Sequence, residues 1–227
     1  MRILQVLSAL LSYPSAELKQ AVPELRATVA SATGLGEPVT GRLAALLDDL
    51  AYEDLYEVQA RYVAQFDRGR ALSLHLFEHV HGESRDRGQA MVDLIDVYRK
   101  YGFALAAREL PDYLPLFLEF LAQIPAQDAR ELLVDAMPVM SLIGARLASK
   151  NRSYASVFEA LIQIVGPPED EAEIRRRVAA EGPDQTVLQM DRIWEEEAVT
   201  FLGNQGGGCG SGGATEKPWR PMPRPSN

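Results

Sequence analysis

The sequence predicts an all-α fold, a single-domain helical bundle. Three observations carry this. Apolar residues recur at i, i+3, i+4 and i+7 in one segment after another, prolines, glycines and capping residues fall between those stripes, and no run of β-branched residues alternates with period two. With 227 residues, 47% of them apolar, the chain is long enough to bury one full core. The expected organisation is a helical domain over 1–203 followed by a disordered Gly/Pro-rich tail over 204–227. The stretches GGGCGSGG and PWRPMPRPSN offer almost no apolar burial to offset the entropy of ordering a backbone.

Taken in order, Leu4, Leu7, Leu10 and Leu11 form the first stripe, which Pro14 stops, and Ser15 is placed to cap the next helix. That second helix runs through Leu18, Val22 and Leu25 to about Ala30 and fades into the loop residues Thr33 to Pro38. Leu43, Leu46, Leu47 and Leu50 follow, and Leu55, Val58, Tyr62 and Phe66 continue at helical spacing. Further on, Met91, Leu94, Ile95, Tyr98 and Tyr101 line a helix that Ser84 can cap, with Asp86 in its first turn and Gly102 as its stop. Asp112 is read as the cap of a helix carrying Leu114, Phe117, Leu118 and Leu121, with Pro115 in the first turn and Pro125 at the end. The stripe Leu133, Met137, Met140, Ile143 and Leu147 contains Pro138, which should kink or split it. Val157, Phe158, Leu161 and Ile162 come next, Gly166-Pro167-Pro168 breaks the pattern, and a last charged helix is expected over 185–202.

Charge and cysteine content narrow the function classes. A net charge of −9 argues against nucleic acid or an anionic membrane as partner, since both require a basic surface. The final 22 residues carry a net +2, so the acidity belongs to the helical part. From Glu109 to Pro138 there are six acids and one arginine, whereas Arg61 to Arg108 holds eight bases and six acids. An acidic helix pair beside a mildly basic junction suits a peptide with both cations and apolar residues, and equally suits a plain acidic surface. One cysteine, Cys209, excludes an intramolecular disulfide and any multi-cysteine metal site. No cleavable leader and no stretch of about 20 apolar residues is apparent, so a cytoplasmic protein is expected.

Chemistry concentrates in Tyr62 to Tyr101, where all three histidines lie within seven residues among aromatics, carboxylates and arginines. His75-x-x-Glu78-His79 matches the pattern in which two histidines one helical turn apart bind zinc and the glutamate is general base. The competing readings are structural, with His79 bridging to Glu78 or Asp86 and His75 and His81 in water or on backbone, or a recognition surface at a helix–loop–helix junction. Asp67, Arg70, Arg85 and Arg87 can form ion pairs across that junction. No phosphate loop and no G-x-S-x-G is present.

The same block carries a resemblance. Tyr62-Val63 through Phe66-Asp67 and Ser73 through Met91, together with Leu10-Leu11-Ser12-Tyr13-Pro14 and Leu110 through Pro115, resemble the respiratory nitrate reductase assembly chaperones of the NarJ type, within the TorD-like superfamily. The resemblance covers roughly residues 4 to 165. It implies an all-helical binding protein and not an enzyme. Its client would be the apo catalytic (alpha) subunit of nitrate reductase, recognised through its N-terminal segment and kept competent for molybdenum cofactor insertion. The resemblance further implies no permanently bound cofactor, no nucleic acid, membrane contact only through the client, and a monomer or weak dimer. Tyr62, Phe66, Leu74, Phe77 and His79 are the expected groove or groove-support positions, with Asp67, Glu78, Arg85 and Arg87 as polar rim. The alternatives are a zinc-dependent hydrolase built on His75, Glu78 and His79, or a chaperone for another molybdoenzyme.

Overall fold

A computed structural model describes residues 1–81, 85–105 and 109–182. Among the described residues the chain is all-α, and its only pairing of extended backbone is one antiparallel bridge between His75 and Tyr113. Helix α1 (Arg2–Leu11) ends before Pro14, and α2 (Ala16–Ala30) opens on Ser15, whose hydroxyl accepts the Leu18 amide at 3.1 Å. Helix α3 (Glu37–Tyr52) has proline in its first turn, and α4 (Leu55–Phe66) starts where the Asp54 side chain accepts the Tyr56 amide at 2.8 Å. A 3-10 turn (Arg70–Leu72) and the five-residue α5 (Leu76–Val80) lead to α6 (Arg85–Lys100). After Gly102, which takes the left-handed conformation at φ 82°, come α7 (Leu114–Gln123), α8 (Ala126–Ser149), α9 (Ala155–Val165) and α10 (Glu171–Ala180).

Burial follows the stripes. Leu4, Leu7, Leu43, Leu47, Leu118, Leu133, Met140, Ile143, Val157 and Leu161 are all essentially solvent-free and belong to one core. Helix α1 packs along α7 and α2, and α8 lies against α7 and α9. Arg130 on α8 closes the end of α9, donating to the carbonyls of Ile164 at 2.6 Å and Val165 at 3.1 Å, which have no partner within their own helix.

Three expectations change. Pro138 does not split its helix, and α8 runs unbroken for 24 residues. Both Pro138 and Val134, the residue whose carbonyl loses its intrahelical bond, are exposed, so water can take that carbonyl. Helix α8 is also long and apolar enough, at mean hydropathy 1.4, to pass for a membrane span, contrary to the expectation that no stretch comes close, yet its apolar face lies in the core. Finally, α10 forms soon after the Gly166-Pro167-Pro168 break, ahead of the charged helix expected over 185–202. Its weak stripe of Ile174 and Val178 meets Leu142 and Ala145 in a small cluster separate from the main core. The proposed Ser84 cap, the helix over 185–202, the boundary at 203/204, the tail and Cys209 all lie outside the described residues.

Helices α8 and α9 approach closely at Gly144, where a Cβ would stand 2.7 Å from Phe158 Cβ on α9. Gly144→Ala should therefore cost about 1–3 kcal/mol in denaturant unfolding, because α8 and α9 must separate to admit it. Phe158→Ala should not rescue it, since alanine keeps the offending atom.

Candidate functional site

The segment between α4 and α6 is held by a buried acid that sits far along the chain. Leu110-Pro111-Asp112-Tyr113 is a turn, with the Tyr113 amide donating to Leu110 carbonyl at 3.1 Å and proline at its second position. The turn faces Asp112 inward, and Asp112 has no solvent exposure. One carboxylate oxygen lies 3.2 Å from His75 Nδ1, the other accepts the Phe77 amide at 3.1 Å, and Arg87 stands 4.0 Å away. The Asp112 carbonyl accepts the Leu76 amide at 3.0 Å, and the Leu114 amide donates to Leu74 carbonyl at 2.8 Å, which makes the His75–Tyr113 bridge. Asp112 thus caps α5 across the fold. It does not cap α7, whose N-cap is Tyr113.

Around this acid the junction is layered. Tyr62, Phe66 and Tyr154 pack tilted and edge-on against one another with ring centroids 4.9 to 6.3 Å apart, and Tyr62 donates to Leu11 carbonyl at 2.8 Å. Burial raises the Tyr154 phenol to about 12 and raises the Tyr62 phenol as well, so both stay neutral. Above lie His75, Glu78 and Arg87, each about a quarter exposed, with Arg87 3.4 Å from Glu78.

A second brace comes from α8. Arg146 donates to both carboxylate oxygens of Glu181 at 2.8 and 2.6 Å, to Ala71 carbonyl at 2.9 Å, and approaches His79 Nδ1 at 3.4 Å. The other His79 nitrogen, Nε2, lies 2.8 Å from Ser73 carbonyl. With a carbonyl on one side and a guanidinium on the other, the ring is neutral with its proton on Nε2. Burial, reinforced by Arg146, holds its pKa below the ordinary 6.5, whereas the hydrogen bond to Asp112 raises that of His75.

This geometry removes the zinc pattern. His75 precedes α5 with extended backbone and aims at Asp112, while His79 is turned to Ser73 and Arg146, so the two rings share no face. No set of three or more ligating side chains occurs among the described residues. His79 bridges neither Glu78 nor Asp86.

Comparison with known proteins is decisive here. The family described as nitrate reductase delta subunit matches residues 15–160. The nitrate reductase molybdenum cofactor assembly chaperone NarJ of Escherichia coli K12 is 44% identical over 93% of this chain and 89% of its own length. The chain belongs to this family. The probable assembly chaperone NarW of the same strain is 39% identical over 93% of this chain and 88% of its own, and the probable NarJ of Bacillus subtilis 168 is 29% identical over 69% and 84%. The match spans α2 to α9 and includes both the histidine junction and the turn that holds Asp112.

Among the residues read from the sequence as site positions in this family member, the structure brings Phe77, Glu78 and Arg87 together around Asp112 and places His79 against Arg146. Tyr62, Phe66 and Leu74 are buried, and Asp67 and Arg85 are exposed. Asp112 caps α5 and not α7 as its position in the sequence suggests, and Arg146 and Glu181 do not stand out in the sequence pattern. A lone arginine between the core positions Ile143 and Leu147 was the available signal.

Two outcomes check this site. Asp112→Ala should cost about 3–5 kcal/mol in denaturant unfolding, as expected when one partner of a buried ionic cluster is removed. In NMR titration the His75 imidazole should titrate above 6.5 and that of His79 below it. His75 then adds stability that is complete below 6.5 and fades as pH rises through its raised pKa. The contribution of His79 is complete above 6.5 and fades as pH falls through its lowered one.

Proposed function

We propose that this chain is a system-specific chaperone that binds the apo catalytic subunit of respiratory nitrate reductase through its N-terminal segment and keeps it competent for molybdenum cofactor insertion. One observation carries the reading, the 44% identity to the E. coli assembly chaperone over nearly the full length of both chains. The site chemistry agrees with binding. His75 and His79 are engaged in holding α5, and Glu78 and Arg87 form a partly exposed rim.

In this reading Tyr62, Phe66 and Leu74 support the recognition surface from beneath, and Phe77 and His79 shape it. Asp67, Glu78, Arg85 and Arg87 form its charged edge. An amphipathic, cationic client segment becomes helical on the acidic body, its apolar side chains supplying most of the affinity and its cations the steering. The chain acts in the cytoplasm as a monomer or weak dimer, through the helical domain over 1–203, and holds no cofactor of its own.

Calorimetric titration with a synthetic peptide of the client's N-terminus, at low and high salt, tests this. Micromolar or tighter binding that weakens with salt is expected, because pairs at an exposed rim are screened beyond about 10 Å at 0.1 M ionic strength. No heat of binding from a folded protein under either condition would overturn it.

A further inference from the structure

The outer seam of α4 is uncharged until its last position. On a helix at the surface of a soluble protein, the positions opposite the core are expected to carry charge. Helix α4 buries Val58, Tyr62, Gln65 and Phe66 on its inner side, while its outer seam reads Tyr56, Ala60, Val63 and Asp67. Tyr56 is 79% exposed and Val63 36%, and Ala60 is exposed with Ala64 beside it. Tyr52, the last residue of α3, adds a second open ring at 85% exposure. Tyrosine is enriched at protein–protein contacts, where its ring is buried and its hydroxyl finds a partner.

Reversed, the seam is complementary to itself. Positions 56, 60, 63 and 67 alternate steps of four and three residues, the a/d repeat of a coiled coil. Laid antiparallel about a two-fold axis between Ala60 and Val63, the seam sets Ala60 against Val63 of the second copy, a small residue against a larger one. It also sets Tyr56 against Asp67, where the phenol can donate to the carboxylate. On the flank, Glu57 of one copy comes within a helical turn of Arg68 of the other. A parallel pairing would instead set Asp67 on Asp67, and like-charge repulsion opposes it.

We infer that the outer face of α4 is a self-association surface, on which a second copy of this chain packs its own α4 antiparallel about a two-fold axis. About three turns of helix bury far less than the roughly 1,200–2,000 Å² of a standard interface, so the dimer forms only at high concentration. The inference selects the weak dimer over the monomer and involves no client.

Analytical ultracentrifugation of the full chain tests this, under reducing conditions that keep Cys209 from cross-linking. The average mass should rise from one copy toward two between about 10 µM and about 1 mM. Val63→Glu changes an exposed position, so it should fold as before by circular dichroism. It should stay at one copy throughout, because it places two carboxylates beside the axis. The two-fold axis doubles every change, so Glu57→Arg should weaken association about tenfold. Adding Arg68→Glu to it should restore the original strength, an exchange that the antiparallel register predicts and a parallel one does not. A protein that stays single up to about 1 mM, a Val63→Glu variant that associates like the original, or a double exchange that restores nothing would each overturn the inference, whatever the client titration shows.

Discussion

A carboxylate without solvent must be surrounded by donors, and the junction of this protein is arranged around meeting that demand for Asp112. The donors come from separate places. His75 supplies a ring nitrogen, Phe77 a backbone amide at the start of α5, and Arg87 a guanidinium on α6. Each is brought within reach only when the Leu110–Tyr113 turn is laid beside residues 74–77 by the Leu76 and Leu114 backbone hydrogen bonds. A five-residue helix such as α5 has little stability of its own, so its existence depends on this cap supplied by another part of the chain.

Arg146 does for the other flank what Asp112 does for the first. It reaches the 3-10 turn, α5 and the residue following α10 from a single position on α8. The result is that both histidines of the H-x-x-E-H pattern are spoken for by structural partners of opposite charge, an acid for His75 and a base for His79. Their pKa values are pushed in opposite directions for that reason. A pair so divided holds the junction in shape.

Much of the fold was legible in the sequence because amphipathic periodicity reports which side of a helix is buried. The stripes of α1, α3, α7, α8 and α9 all point into the core as read, and Ser15, Gly102, Pro115 and Gly166 punctuate the chain where they should. Periodicity failed where its own premise was weak. Helix α10 buries only Ile174 and Val178, too few to rise above the charged residues around them. Pro138 was open to a kink or a split, and the split does not occur because the bond it deletes faces water, which sequence does not say.

The sequence by itself determined the all-α class, the helix faces, the histidine-rich block as the chemically dense region and, through its resemblance, the family. Only the tertiary structure decided what that block does. Whether a histidine is a metal ligand or a buried strut depends on which distant groups meet its two nitrogens, and Asp112 and Arg146 are 37 and 67 residues away from their histidine partners. Spacing along the chain encodes local geometry, but partners this remote are set by how the helices pack.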